Sequence, residues 1–137
     1  MNKNLTPAAT VLVLKDSQEG IEVLMVKRSK KSPFGNLYVF PGGKIDEDDL
    51  HTEWKLYCDG YNDSIASEVL GVDEGGLCYW IACVRETFEE VGILLATRKS
   101  GEILDLEGQD KNKFDTYRKD LINHEISLPW SRLISGI

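Results

Sequence analysis

From Leu77 to Val91 the chain reads as a helix packed on one side. Leu77, Trp80, Ile81, Val84, Phe88 and Val91 recur at three- and four-residue steps. That spacing gathers them within roughly 100° of a helical wheel turning ~100° per residue. Glu86, Glu89 and Glu90 fall on the opposite side, and Gly92 supplies a C-terminal stop. The pattern predicts a buried helix projecting an outward carboxylate face. Like charges at i,i+3 and i,i+4 repel by about 0.2–0.5 kcal/mol per pair, and Glu86–Glu89 and Glu86–Glu90 are such pairs. A hard divalent cation reverses that sign, because carboxylate oxygens are its preferred ligands. An isolated ExxEE is most simply a solvated acidic face, so the surrounding sequence has to decide.

Upstream, "AATVLVLKD" (8–16) and "IEVLMVKRS" (21–29) are short apolar runs joined by "DSQEG", the pattern of a β-hairpin with a longish loop. "LYVF" (37–40) reads as a third strand, stopped by Pro41-Gly42-Gly43. Between residues 50 and 76, "IASEVL" suggests a two-turn helix with Asp63 or Ser64 as N-cap, inside an ordered insertion carrying Trp54, Leu56 and Tyr57. Downstream, Phe114, Tyr117 and Leu121 have helical spacing, and "SLPWSRLISGI" is a short apolar tail broken by Pro129.

The 137 residues, 42% of them apolar, suffice for one domain with its own core. A formal charge of −7 argues against a nucleic-acid polymer as partner, since binding its backbone needs a basic face. Anionic small molecules stay accessible if a cation mediates the contact. No apolar run approaches the roughly 20 residues of a membrane span, and "MNKNLTPAAT" has neither a signal-peptide core nor transit-peptide arginines. The C-terminal "SGI" is not a peroxisomal address. Cys58, Cys78 and Cys83 cannot all pair, form no C-x-x-C, and have only His51 and His124 for company. Zinc is therefore not expected; reduced thiols in a cytoplasmic protein are the simpler expectation. An EF-hand beginning at Asp46 also fails, because its sixth and twelfth positions would be His51 and Tyr57 rather than Gly and Glu.

"FPGGKID" followed by "RETFEEVGI" resembles the Nudix box, the signature of hydrolases that cleave nucleoside diphosphates linked to another moiety. The family pattern is G-x5-E-x7-R-E-U-x-E-E-x-G-U, with U a bulky aliphatic residue. Arg85, Glu86, Glu89, Glu90, Gly92 and Ile93 match it, and Thr87 stands where an aliphatic residue is usual. The first half starts at Gly43 and puts Asp49 at the glutamate position, with Asp46 or Glu47 as alternatives. Between Asp49 and Arg85 lie 35 residues where the pattern allows seven, an insertion of 28.

The resemblance implies an α/β/α sandwich around a mixed sheet, with the signature forming loop, helix and loop. It also implies Mg2+ or Mn2+ on Glu89 and Glu90, with Glu86 as a further ligand or as base for the attacking water. Arg85 would pair with a helix or loop carboxylate, and Gly42 and Gly43 would let the backbone turn sharply beside the metal. Phosphoanhydride cleavage needs a positioned water, a lowered water pKa and neutralised diphosphate charge, all within a cation's means. No Ser–His or Cys–His system is evident in the sequence.

"LMVKRSKKSPFGNLYVFPGGKIDEDD" and the interrupted box look most like the coenzyme A diphosphatase branch, in its subgroup with a long insertion. That implies attack within the diphosphate of CoA or acyl-CoA, giving 3′,5′-ADP and (acyl-)4′-phosphopantetheine. Lys27, Arg28 and Lys44 are then candidates for contacting the anionic substrate. ADP-ribose, NADH or another nucleoside diphosphate derivative is the alternative, and a non-catalytic nucleotide-binding remnant is a third. Only 44 residues follow Ile93, without convincing strands. The sequence therefore leads us to expect a sheet incomplete at its C-terminal side, a shortened chain, exposed strand edges and a possible homodimer.

Overall fold

A computed structural model describes residues 5–30, 35–58, 60–97, 108 and 111–123. Among these described residues are six strands: Ala8–Thr10 (β1), Leu14–Ser17 (β2), Gly20–Val23 (β3), Val26–Lys27 (β4), Tyr38–Val39 (β5) and Gly42–Lys44 (β6). They form three antiparallel ribbons, β1 with β6, β2 with β3 and β4 with β5. Three helices follow among the described residues, Asp63–Leu70 (α1), Gly76–Val91 (α2) and Lys111–Ile122 (α3). Two 3-10 segments, Glu47–Leu50 and Thr52–Leu56, precede them. The α/β class expected from the sequence is the one observed. The tail "SLPWSRLISGI" and His124 lie outside the described residues.

Each of the first two apolar runs divides into two strands, and the hairpin between them is tighter than its sequence suggested. Ser17 pairs with Gly20, leaving only Gln18 and Glu19 in the connection. The Ser17 hydroxyl closes this turn, donating to the Gly20 carbonyl at 2.9 Å while accepting from the Glu19 N–H at 3.3 Å. The Pro-Gly-Gly stretch does not end the extended chain. Gly42–Lys44 is itself a strand, in register with β1 from Thr10↔Gly42 to Ala8↔Lys44. A Cβ on Gly42 would run into the Ala9 carbonyl and the Thr10 Cα, so the glycine is what permits β1 to approach.

The core lies among the helices. Trp54, Ala66, Leu77, Ile81, Phe88, Leu94 and Phe114 form one buried cluster, with Val84, Tyr117 and Leu121 at its margin. Phe88 meets Phe114 edge-on, with ring centroids 6.5 Å apart. The ribbons contribute little to this cluster: Leu14, Ile21, Leu37 and Tyr38 are all more than half exposed. Trp80, placed on the buried arc by periodicity, is 40% exposed and leans on Tyr61 at 4.9 Å.

The segment 50–76 is built into this core. Trp54 is buried and its indole N–H donates to the Asp48 carbonyl at 2.8 Å. The N-cap of α1 is Asn62, whose side chain accepts from the Ile65 N–H at 2.9 Å, rather than Asp63 or Ser64. Asp63 serves the next helix instead: its carboxylate accepts from the Gly75 and Leu77 N–H groups, both at 3.0 Å. The Ser67 hydroxyl accepts from Gly76 N–H at 2.8 Å. Gly75, the N-cap of α2, has no side chain for this task, so α1 supplies the cap.

The two N–H groups, Leu77 first and then Gly75, hold the Asp63 carboxyl below the ordinary carboxylate range. A lowered folded-state value contributes stability above the unfolded pKa of ~3.9, lost as pH falls through the folded value. Asp63→Ala is accordingly expected to cost ~1 kcal/mol at pH 7, the typical value of a lost cap. The gap from wild type should close on acidification below the carboxylate range. Urea titrations of both proteins across this pH interval check it; a pH-independent difference would contradict the cap.

Candidate active site

The site is built where β6, the acidic segment after it and the C-terminal half of α2 meet. Gly92 ends α2 with φ 74°, its N–H bonded to the Phe88 carbonyl, as the sequence predicted. The outward carboxylate face, however, is not a solvated one. The side chains of Glu86 and Glu89 are only 15% and 21% exposed, and Arg85 and Thr87 on the same helix are buried. The β6 strand and the Glu47–Leu50 turn cover this side of α2, so the helix is enclosed on two faces. Thr87 fits there because its hydroxyl donates back to the Cys83 carbonyl at 2.7 Å, leaving no polar atom unpaired.

Arg85 is the hub. Its Nε and Nη2 donate to Asp49 Oδ1 and Oδ2, each at 2.9 Å, a two-pronged pairing with a carboxylate that is itself fully buried. Nη2 also donates to the Lys44 carbonyl at 2.9 Å. Nη1 reaches Glu86 Oε1 at 2.9 Å and Glu89 Oε2 at 3.4 Å. Among the three acids the sequence left open, geometry separates the roles. Asp49 takes the guanidinium fork and also accepts from the Asp46 N–H at 2.8 Å. Asp46 lies 3.9 Å from Nη1 with an exposed side chain, and Glu47 is exposed.

Burial disfavours the Arg85 charge, but the hydrogen bonds and charge of Asp49, and then Glu86 and Glu89, more than offset it. The guanidinium is held charged more firmly than in water. Burial pushes the Glu86 and Glu89 carboxyls above their ordinary range, and Arg85 pulls each back only in part. The thiols of Cys58, Cys78 and Cys83 are all raised, burial being the main cause, as suits small core-filling groups.

Gly43 lies against the acidic cluster. A Cβ there would occupy the space taken by the Glu86 carboxylate, so the bare backbone forms one wall of the carboxylate's cradle. Next to it the Gly42 N–H donates to Glu90 Oε2 at 3.3 Å. Gly43→Ala is expected to leave the β1–β6 pairing intact while displacing Glu86, because the obstacle is a side-chain end and not backbone. Gly42→Ala should break the pairing itself. Thermal melts distinguish them: near-wild-type melting for Gly43→Ala, a lowered melting point for Gly42→Ala. Equal melting points would contradict the assignment.

The structure thus brings together Arg85, Glu86, Glu89, Glu90, Gly42, Gly43 and the main chain of Lys44. The Lys44 side chain points into solvent; its carbonyl is what the site uses. Lys27 and Arg28 are exposed at the end of β4, with Lys27 5.8 Å from the Tyr38 ring, and no hydrogen bond or ion pair joins either to these carboxylates. Among the described residues, no group of three or more His, Cys, Asp or Glu side chains is gathered to enclose a metal ion. The chemistry of the individual side chains nevertheless suits a hard divalent cation, since Glu86, Glu89 and Glu90 all offer carboxylate oxygens. Periodicity could not reveal Asp63 or Arg118, which bond to α2 across 14 and 29 residues respectively.

The site thus sets a glycine turn against a helix whose Glu86 and Glu89 carboxylates share one guanidinium. The chain is 29% identical, over 127 residues, to the acyl-coenzyme A diphosphatase NUDT19 of Xenopus laevis, an alignment covering 73% of this chain and 33% of that protein. It also resembles the crystal structure of a NUDIX hydrolase from Alicyclobacillus acidocaldarius, with a TM-score of 0.59 and 26% identity, over 93% of this chain and 55% of that one. The chain therefore spans about a third of the curated relative and about half of the solved one. No protein-family model matches it. The divided box in the sequence resembles the same family and branch as these two relatives.

Proposed function

We propose that this chain hydrolyses the diphosphate linkage of CoA or acyl-CoA, giving 3′,5′-ADP and (acyl-)4′-phosphopantetheine, with Mg2+ or Mn2+. The observation that carries the reading is the Arg85 hub, which gathers Asp49, Glu86 and Glu89 against the Gly43 turn. The substrate class is supported by similarity to a protein named an acyl-coenzyme A diphosphatase.

When bound, a divalent cation supplies charge neutralisation on the diphosphate and a lower pKa for the attacking water. Glu89 and Glu90 are the principal residues to hold it. Glu86 is a further ligand or the base that takes the water's proton. The Asp49 fork keeps the Arg85 guanidinium in place, so Glu86 and Glu89 would share their oxygens between Nη1 and a bound ion. Gly42 and Gly43 keep side chains out of the space beside the carboxylates. Arg28, Lys27 and Lys44 are exposed cations available to an anionic substrate, the cation mediating what this acidic chain would otherwise repel.

A small molecule, rather than a nucleic-acid polymer or a membrane, is the partner in this reading, in a cytoplasmic setting. Among the described residues no helix is long and apolar enough to cross a membrane. The exposed Leu14, Ile21 and Tyr38 support self-association as a homodimer. A substrate panel of CoA, acyl-CoA, ADP-ribose and NADH with each metal tests the function. CoA turnover to 3′,5′-ADP is expected. ADP-ribose or NADH turnover without CoA turnover would replace the substrate, and no turnover anywhere would favour a nucleotide-binding remnant.

A further inference from the structure

The C-terminal turn of α2 carries Glu89 and Glu90, and its carbonyls have no partner within the helix. The Gly92 N–H reaches only the Phe88 carbonyl. Arg118, one side chain of α3, takes the next two: its Nε donates to the Glu89 carbonyl at 3.0 Å and its Nη2 to the Glu90 carbonyl at 3.0 Å. It passes over Gly92, where a Cβ would lie 3.3 Å from Nη1. The origin of this arm is fixed, because Phe114 of the same helix is buried against Phe88.

Glu89 and Glu90 are consequently tied at both ends. Their side chains meet Arg85 Nη1 and the Gly42 N–H, and their main-chain carbonyls share one guanidinium. We propose that Arg118 is a positioning residue, clamping the backbone of the last turn of α2 so that the Glu89 and Glu90 carboxylates are presented to a divalent cation in one arrangement. The proposal rests on the reading of Glu89 and Glu90 as metal-holding residues. Helix ends fray where nothing outside the helix holds them, and a cation at a helix C-terminus also complements its dipole. A planar fork spans two adjacent carbonyls, whereas an ammonium offers a single point charge.

The test is direct Mn2+ binding, followed by electron paramagnetic resonance at a temperature where all variants are folded, with urea stability measured in parallel. Arg118→Met should weaken Mn2+ binding by about tenfold or more, the scale of losing a group that orients a ligand. Arg118→Lys should fall between Met and wild type. Ile81→Val, a core substitution away from both carbonyls, lowers stability and should keep wild-type affinity. Wild-type affinity in Arg118→Met would overturn the proposal, as would an equal loss in Ile81→Val. If the wild-type chain binds no Mn2+, or Glu89→Gln with Glu90→Gln binds it unchanged, the metal reading itself fails and the clamp falls with it.

Discussion

Arg85→Met is expected to destabilise the protein by about 3–5 kcal/mol, the cost of leaving a buried charge without its partner. Asp49 is fully buried and takes both prongs of the guanidinium, so removing Arg85 strands a carboxylate where water cannot reach it. Glu86 and Glu89, already pushed toward the protonated form by burial, lose their shared cation in the same step. Against a typical domain stability of about 5–15 kcal/mol, this is enough to unfold much of the population. Asp49→Leu placed on Arg85→Met should recover part of the loss, because the stranded charge has gone. Urea titrations of the two single variants and the double variant close the cycle. A cost under ~1 kcal/mol for Arg85→Met, the range of exposed pairs, would show that the hub is not a buried structural centre.

Glu89→Gln combined with Glu90→Gln is expected to abolish metal-dependent turnover and Mn2+ binding while the fold is retained. Each amide keeps the shape and one acceptor of the acid but removes the charge a hard cation requires. Stability should change little, since Glu90 is exposed and the contact of Glu89 with Arg85 is long, at 3.4 Å. Circular dichroism, an Mn2+ titration and CoA turnover separate the outcomes. Retained Mn2+ affinity with unchanged turnover would remove these glutamates from the site. Lost affinity accompanied by unfolding would instead make them structural.

The sequence alone determined the elements whose causes are local. Apolar residues at helical spacing placed α2, Gly92 ended it, and a glycine between two short apolar runs placed the first hairpin. The grouping of Arg85, Glu86, Glu89 and Glu90 also followed from one turn of helix. Tertiary structure decided which acid answers Arg85, because Asp46, Glu47 and Asp49 have equivalent chemistry and only folding sets Asp49 under the guanidinium, 36 residues away. It decided that the glutamate face is half-buried, since periodicity shows which side of a helix is apolar but not what is laid over its polar side. It also supplied both caps of α2. Asp63 at one end and Arg118 at the other come from flanking helices that a helical wheel of α2 cannot contain. Propensity and spacing act over a few residues, whereas a carboxylate or guanidinium bonds whatever the folded chain brings within about 3 Å of it.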